Sequence, residues 1–119
     1  GYYNFMRYIE HLFDCQVTRA MSIFGGKWKP ILLNCIGVGS LRFGKLNQLM
    51  PAISNKVLSN ELKELEGLGL IERKESKGDA TKIEYSLSDS GKSLMPVLYE
   101  IASWGNSTEA KKIVSEMIK

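Results

Sequence analysis

Leucines at 58, 62, 65 and 68 recur at the spacing of a single helix face, and Gly69 follows the last of them. Directly beyond, the period changes to two. Ile83, Tyr85 and Leu87 alternate with Lys82, Glu84 and Ser86, and Leu70 to Glu75 supplies a partner strand. The Ser76-Lys77-Gly78-Asp79-Ala80 stretch between them reads as a hairpin loop. Ahead of the leucines, Phe43, Leu46, Leu49 and Met50 mark a brief amphipathic helix that Pro51 stops. Ser54 suits the N-cap of the leucine helix, because its hydroxyl can accept from a free N–H of the first turn.

The unit from Phe43 to Leu87 is therefore helix, tight turn, second helix and a two-stranded hairpin with a basic tip. That is the layout of a winged helix-turn-helix. Helical spacing also marks Tyr2 to Phe13, Gln16 to Phe24 (Val17, Ala20, Met21 and Phe24 on one face) and Trp28 to Ile36. Pro30 falls in the first turn of the third of these, where its missing N–H costs little. Leu41-Arg42-Phe43 reads as a short extended piece. After the hairpin, Ser88 can cap a helix bearing Leu94, Val97, Leu98, Ile101 and Trp104, with a kink expected at Pro96. Gly105-Asn106 breaks it, and Ile113, Val114, Met117 and Ile118 mark a final short helix. The expected fold is a single α+β, mainly α, domain over residues 1–119. It divides into an N-terminal helix (1–14), a winged helix-turn-helix core (15–87) and C-terminal dimerisation helices (88–119).

At 119 residues the chain has room for one core, and a charged fraction of 24% is that of an ordinary folded protein. No apolar run approaches the roughly 18 residues a bilayer span requires, and the polar groups Arg7, Glu10 and His11 make the N-terminal stretch unlike a signal peptide. The expected location is the cytoplasm, with no membrane partner. Two cysteines and one histidine are too few for a disulfide framework or a self-contained zinc site. No metal or cofactor is expected. With no nucleophile–base pair in view, neither is an enzyme. Gly39-Ser40-Leu41-Arg42-Phe43-Gly44-Lys45 imitates a phosphate-binding P-loop, but Leu46 stands where a hydroxyl would hold magnesium, and a helix rather than a strand precedes it.

A net charge of +3 is a mild bias; its distribution says more. At the head of the leucine helix the outward residues are Asn55, Lys56, Ser59, Asn60 and Lys63, with no acid among them, while Glu64 and Glu66 fall in later turns. Amides, hydroxyls and ammonium groups are what base edges and phosphates require, and the helix N-terminus adds partial positive charge. Lys74, Lys77 and Lys82 gather about the hairpin, and Lys45 is placed toward solvent or phosphate. The expected partner is double-stranded DNA. Asn55, Ser59 and Asn60 are assigned to base edges; Lys56, Lys63, Arg42 and the wing lysines are assigned to the backbone. A winged-helix module that binds protein is the alternative, and the missing acids argue against it.

Residues 15 to 104 resemble the HxlR family of bacterial transcriptional regulators, relatives of the MarR type. The matching pieces include Cys15 ahead of Val17, Gly25-Gly26-Lys27-Trp28, Leu41-Arg42-Phe43, Pro51, Ile53-Ser54, Lys56, Leu62-Lys63-Glu64-Leu65-Glu66 and Gly69-Leu70-Ile71-Glu72-Arg73. Glu84-Tyr85-Ser86-Leu87, Gly91, Pro96 and Trp104 complete the pattern. The resemblance implies a homodimer joined by its terminal helices, with Ser54, Asn55, Lys56, Ser59 and Asn60 at the DNA and Arg42 near phosphate. The apolar stripes of the first and last helices agree, since they exceed what one small core covers. Repression and activation both stay open.

Members of that family sense quinones, aldehydes or oxidants through a cysteine at the place of Cys15. A helix start and Arg19 one turn on favour its thiolate, while Asp14 opposes it. Gln16 departs from the proline frequent there. Cys35 lies on an apolar stripe and reads as core, so Cys15 lacks a well-placed resolving thiol within the chain. Alkylation of Cys15, a bond to Cys15 of a second copy, a plain interface thiol, and induction by a non-covalent ligand all remain open readings.

Overall fold

The computed structural model describes residues 13–76 and 79–119. The expected helix from Tyr2 to Phe13 falls outside these residues except for Phe13 itself, and Lys77 falls outside them too. The described elements are α1 (Gln16–Phe24), α2 (Lys29–Ile36), β1 (Leu41–Arg42), α3 (Phe43–Leu49), α4 (Asn55–Gly67), β2 (Ile71–Ser76), β3 (Asp79–Leu87), α5 (Asp89–Ser93), α6 (Met95–Gly105) and α7 (Thr108–Met117). The sheet is antiparallel in the order β1-β3-β2. Helix α3, the turn at Pro51, helix α4 and the β2–β3 hairpin form a winged helix-turn-helix.

Local chemistry explains the limits of α4. The Ser54 hydroxyl accepts from the Val57 N–H at 3.2 Å. At the other end Gly69 takes φ +75°. Its N–H donates to the Glu66 carbonyl at 2.9 Å and the Leu70 N–H to the Leu65 carbonyl at 3.0 Å. This pair of bonds is a Schellman closure, which needs a residue at ease in the left-handed region. Between these ends Leu58, Leu62 and Leu65 are buried. They meet Leu32, Leu33 and Ile36 of α2, Leu46 of α3, and Ile71 and Leu87 of the sheet in one core.

Several expectations need correction. Leu68 does not continue the leucine stripe: it is the C-cap of α4 and is exposed. In α2 Leu33 joins Leu32 and Ile36 in the core, while Ile31 faces out. The strands extend through most of the expected hairpin loop, since Ser76 pairs with Asp79 after a register shift at Glu75. Pro96 kinks no helix. Leu94 ends α5 and starts α6, so Pro96 occupies the first turn of a new helix, where no N–H is missed. The last helix also begins earlier than its apolar residues suggested, at the cap Ser107, whose hydroxyl accepts from the Ala110 N–H at 3.1 Å.

Candidate nucleic-acid interface

Helix α4 presents Asn55, Lys56, Asn60 and Lys63 to solvent along one side of its leading turns. Leu58 and Leu62 turn the opposite side into the core, so apolar burial decides which side of the helix faces out. Ser54 spends its oxygen on the cap. The Asn55 side-chain oxygen accepts from the Asn47 amide of α3, a bond that joins the two helices of the motif. Ser59 is half-buried and lines a cleft of about 310 Å³ between α4 and the hairpin, with Lys63, Glu66, Arg73 and Tyr85. Ser59 thus borders both the open face and the cleft between helix and wing, as Lys63 does.

The sheet divides the remaining basic residues by the alternation of its strands. Arg42, Lys74 and Lys82 lie on one face around Glu84. Arg42 Nε is 3.8 Å from the Glu84 carboxylate, and Lys74 is its cross-strand neighbour. Lys45 is exposed on α3 and lines a separate groove with Arg42, Phe43, Gln48, Ile83 and Tyr85. Sequence reasoning gave no role to Arg73 and Tyr85, which pair across the strands on the face turned toward α4. Tyr85 across the strands, and then the Glu75 carboxylate that accepts from Arg73 at 3.2 Å, raise the Arg73 guanidinium above its ordinary range. Period two could have revealed this pair, because residues aligned with Ile71 and Leu87 must share their face.

Cys15 is exposed and stands at the N-cap of α1. Its thiol makes no regular capping bond, yet it titrates below the ordinary range. The chief cause is the Thr18 backbone N–H, followed by the Thr18 side chain and the Val17 N–H, with Arg19 the least of the helpers. Arg19 is engaged elsewhere, donating to the Phe13 carbonyl at 2.8 Å. Cys35 is half-buried against the core, and that burial pushes its thiol up.

A family model described as HxlR-like helix-turn-helix matches residues 23–113. The chain belongs to the HxlR-like family. It is thus a DNA-binding transcriptional regulator of helix-turn-helix type, and its relatives are regulators rather than enzymes. Over 86 residues it is 46% identical to the uncharacterised HTH-type transcriptional regulator YdzF of Bacillus subtilis, covering 71% of this chain and 79% of that protein. Among solved structures, the redox regulator HypR in its reduced form superposes with a TM-score of 0.76 at 32% identity, over 87% of this chain and 99% of HypR. The quinone-bound YodB of B. subtilis follows with a TM-score of 0.65 at 28% identity, over 76% of this chain and 96% of YodB. In this chain α3 and α4 form the helix-turn-helix and β2–β3 the wing. Among the described residues, no helix is long and apolar enough to cross a membrane.

Proposed function

We propose that this HxlR-like chain works as a homodimer on an inverted-repeat operator, with α4 in the major groove and Cys15 as a thiol through which electrophiles or oxidants alter binding. The exposed side of α4, free of acids over its leading turns, carries the reading. Asn60 and Asn55 are the base-reading candidates, with Ser59 at the edge of the cleft beside the wing. Lys56, Lys63, Arg42, Lys45, Lys74, Lys77 and Lys82 supply charge for phosphates. Two such helices would lie one helical turn apart, about 34–36 Å.

The dimer is supported by what one copy leaves uncovered. Val17 and Met21 of α1, Tyr99, Ile101 and Trp104 of α6, and Val114 and Met117 of α7 are all exposed. The redox reading is supported by the exposed, lowered thiol of Cys15 and by the likeness to a redox regulator and to a quinone-bound regulator.

The test is an anisotropy titration across salt concentrations. Lys56→Ala should weaken binding to every duplex and reduce the salt slope by about 1. Asn60→Ala should cost about 1–3 kcal/mol at one operator position and leave the slope unchanged. Wild-type behaviour of both variants would reject this recognition face. For Cys15, mass spectrometry after quinone exposure decides: release from DNA with an unmodified thiol would point to a non-covalent inducer instead.

A further inference from the structure

Lys29 is the first residue of α2, where the helix dipole disfavours a cation. Its side chain is nevertheless folded inward, only 17% exposed. The ammonium donates to the Glu61 carboxylate at 2.8 Å and also to the Glu64 carboxylate. These carboxylates outweigh the burial and hold Lys29 protonated beyond its ordinary range. Glu61 and Glu64 stand one turn apart on α4, and with Glu66 they are all the acids of that helix. One half-buried ammonium therefore engages two of the three carboxylates of α4.

We infer that Lys29 is a positioning residue for DNA recognition: its bonds to Glu61 and Glu64 steady the roll of α4 and offset one of the two carboxylate charges that would repel phosphate. This inference rests on α4 being the reading helix. Apolar burial alone leaves a helix free to rock about its leucine stripe, because dispersion contacts are weakly directional. A two-pronged ionic tie from α2 removes that freedom. The geometry makes Lys29 act through α4 and not by touching DNA.

The experiment uses a duplex selected from a random pool by the wild-type chain, and a scrambled duplex as control. Lys29→Met should lower affinity for the selected duplex by at least about tenfold more than for the scrambled one, the size of one lost base contact. Adding Glu61→Gln and Glu64→Gln to Lys29→Met should restore affinity for the scrambled duplex, since the repelling charges are gone, without restoring discrimination. Lys29→Arg should keep both. Should Lys29→Met fail to fold, Glu64→Gln cuts one prong at a 60% exposed carboxylate and should give a smaller loss of discrimination. A folded Lys29→Met with wild-type discrimination, or equal losses on both duplexes, overturns the inference. A wild type that selects no duplex overturns the reading of α4 itself.

Discussion

Cys15 illustrates how little of a residue's chemistry lies in its own side chain. Donors from Thr18 and Val17 stabilise its thiolate, and they exist only once α1 has formed. The alkylation rate of Cys15 should therefore rise with a midpoint below that of a free thiol, about 8.5, and lose this advantage in denaturant. Thr18→Val removes the hydroxyl but keeps the backbone donor, so the midpoint should move up part of the way; Arg19→Ala should move it less. A profile like that of free cysteine would refute the assignment. By linkage, a depressed thiol favours the folded state above the unfolded-state pKa, and that benefit fades as pH falls through the folded one. At this scale Ser54 was legible, because capping is a local rule. The Arg73–Tyr85 pair and the place of Ser59 at the edge of the cleft were not, because each depends on a partner from another element.

Among elements, Ser88 ties the turn after α4 to the start of α5. The Ser88 N–H donates to the Leu70 carbonyl at 3.1 Å, and its hydroxyl donates to the Gly69 carbonyl at 2.5 Å while accepting from the Gly91 N–H. A Cβ on Gly91 would stand 2.1 Å from the Leu70 carbonyl oxygen, whereas one on Gly44 would meet nothing within 4 Å. Gly91→Ala should consequently cost about 1–3 kcal/mol in denaturant unfolding, as overpacking does. Gly44→Ala, inside α3, should be neutral or gain about 0.5–1 kcal/mol from helix propensity. Equal midpoints for the two variants would show that this joint yields. Helix ends set by Ser54, Ser88 and Gly69 were legible in the residues, while the cap Ser107 was not. The break at Leu94 was not, because Pro96 fits a helix start as well as a kink and packing chose between them.

The whole molecule is open for its length. Its radius of gyration is 17.2 Å, against about 13–14 Å for a compact domain of this size. Helix α6 buries only Met95 and Leu98, and α7 only Ala110. If a second copy covers the rest, light scattering at micromolar concentration should give about twice 13.4 kDa. Val114→Asp should then bring the mass down to that of one chain with helicity retained. A wild type already at single-chain mass would remove the dimer from the proposal. The residues alone determined the order of elements from Gln16 to Leu87, the ends of α4 and the acid-free residues at its head, because caps, glycines, prolines and apolar periodicity act over a few positions of chain. Only the tertiary structure decided which apolar faces the core covers, which side of the sheet each basic residue takes, and that Lys29 reaches α4. Those outcomes arise from competition among groups far apart in sequence for the same buried space.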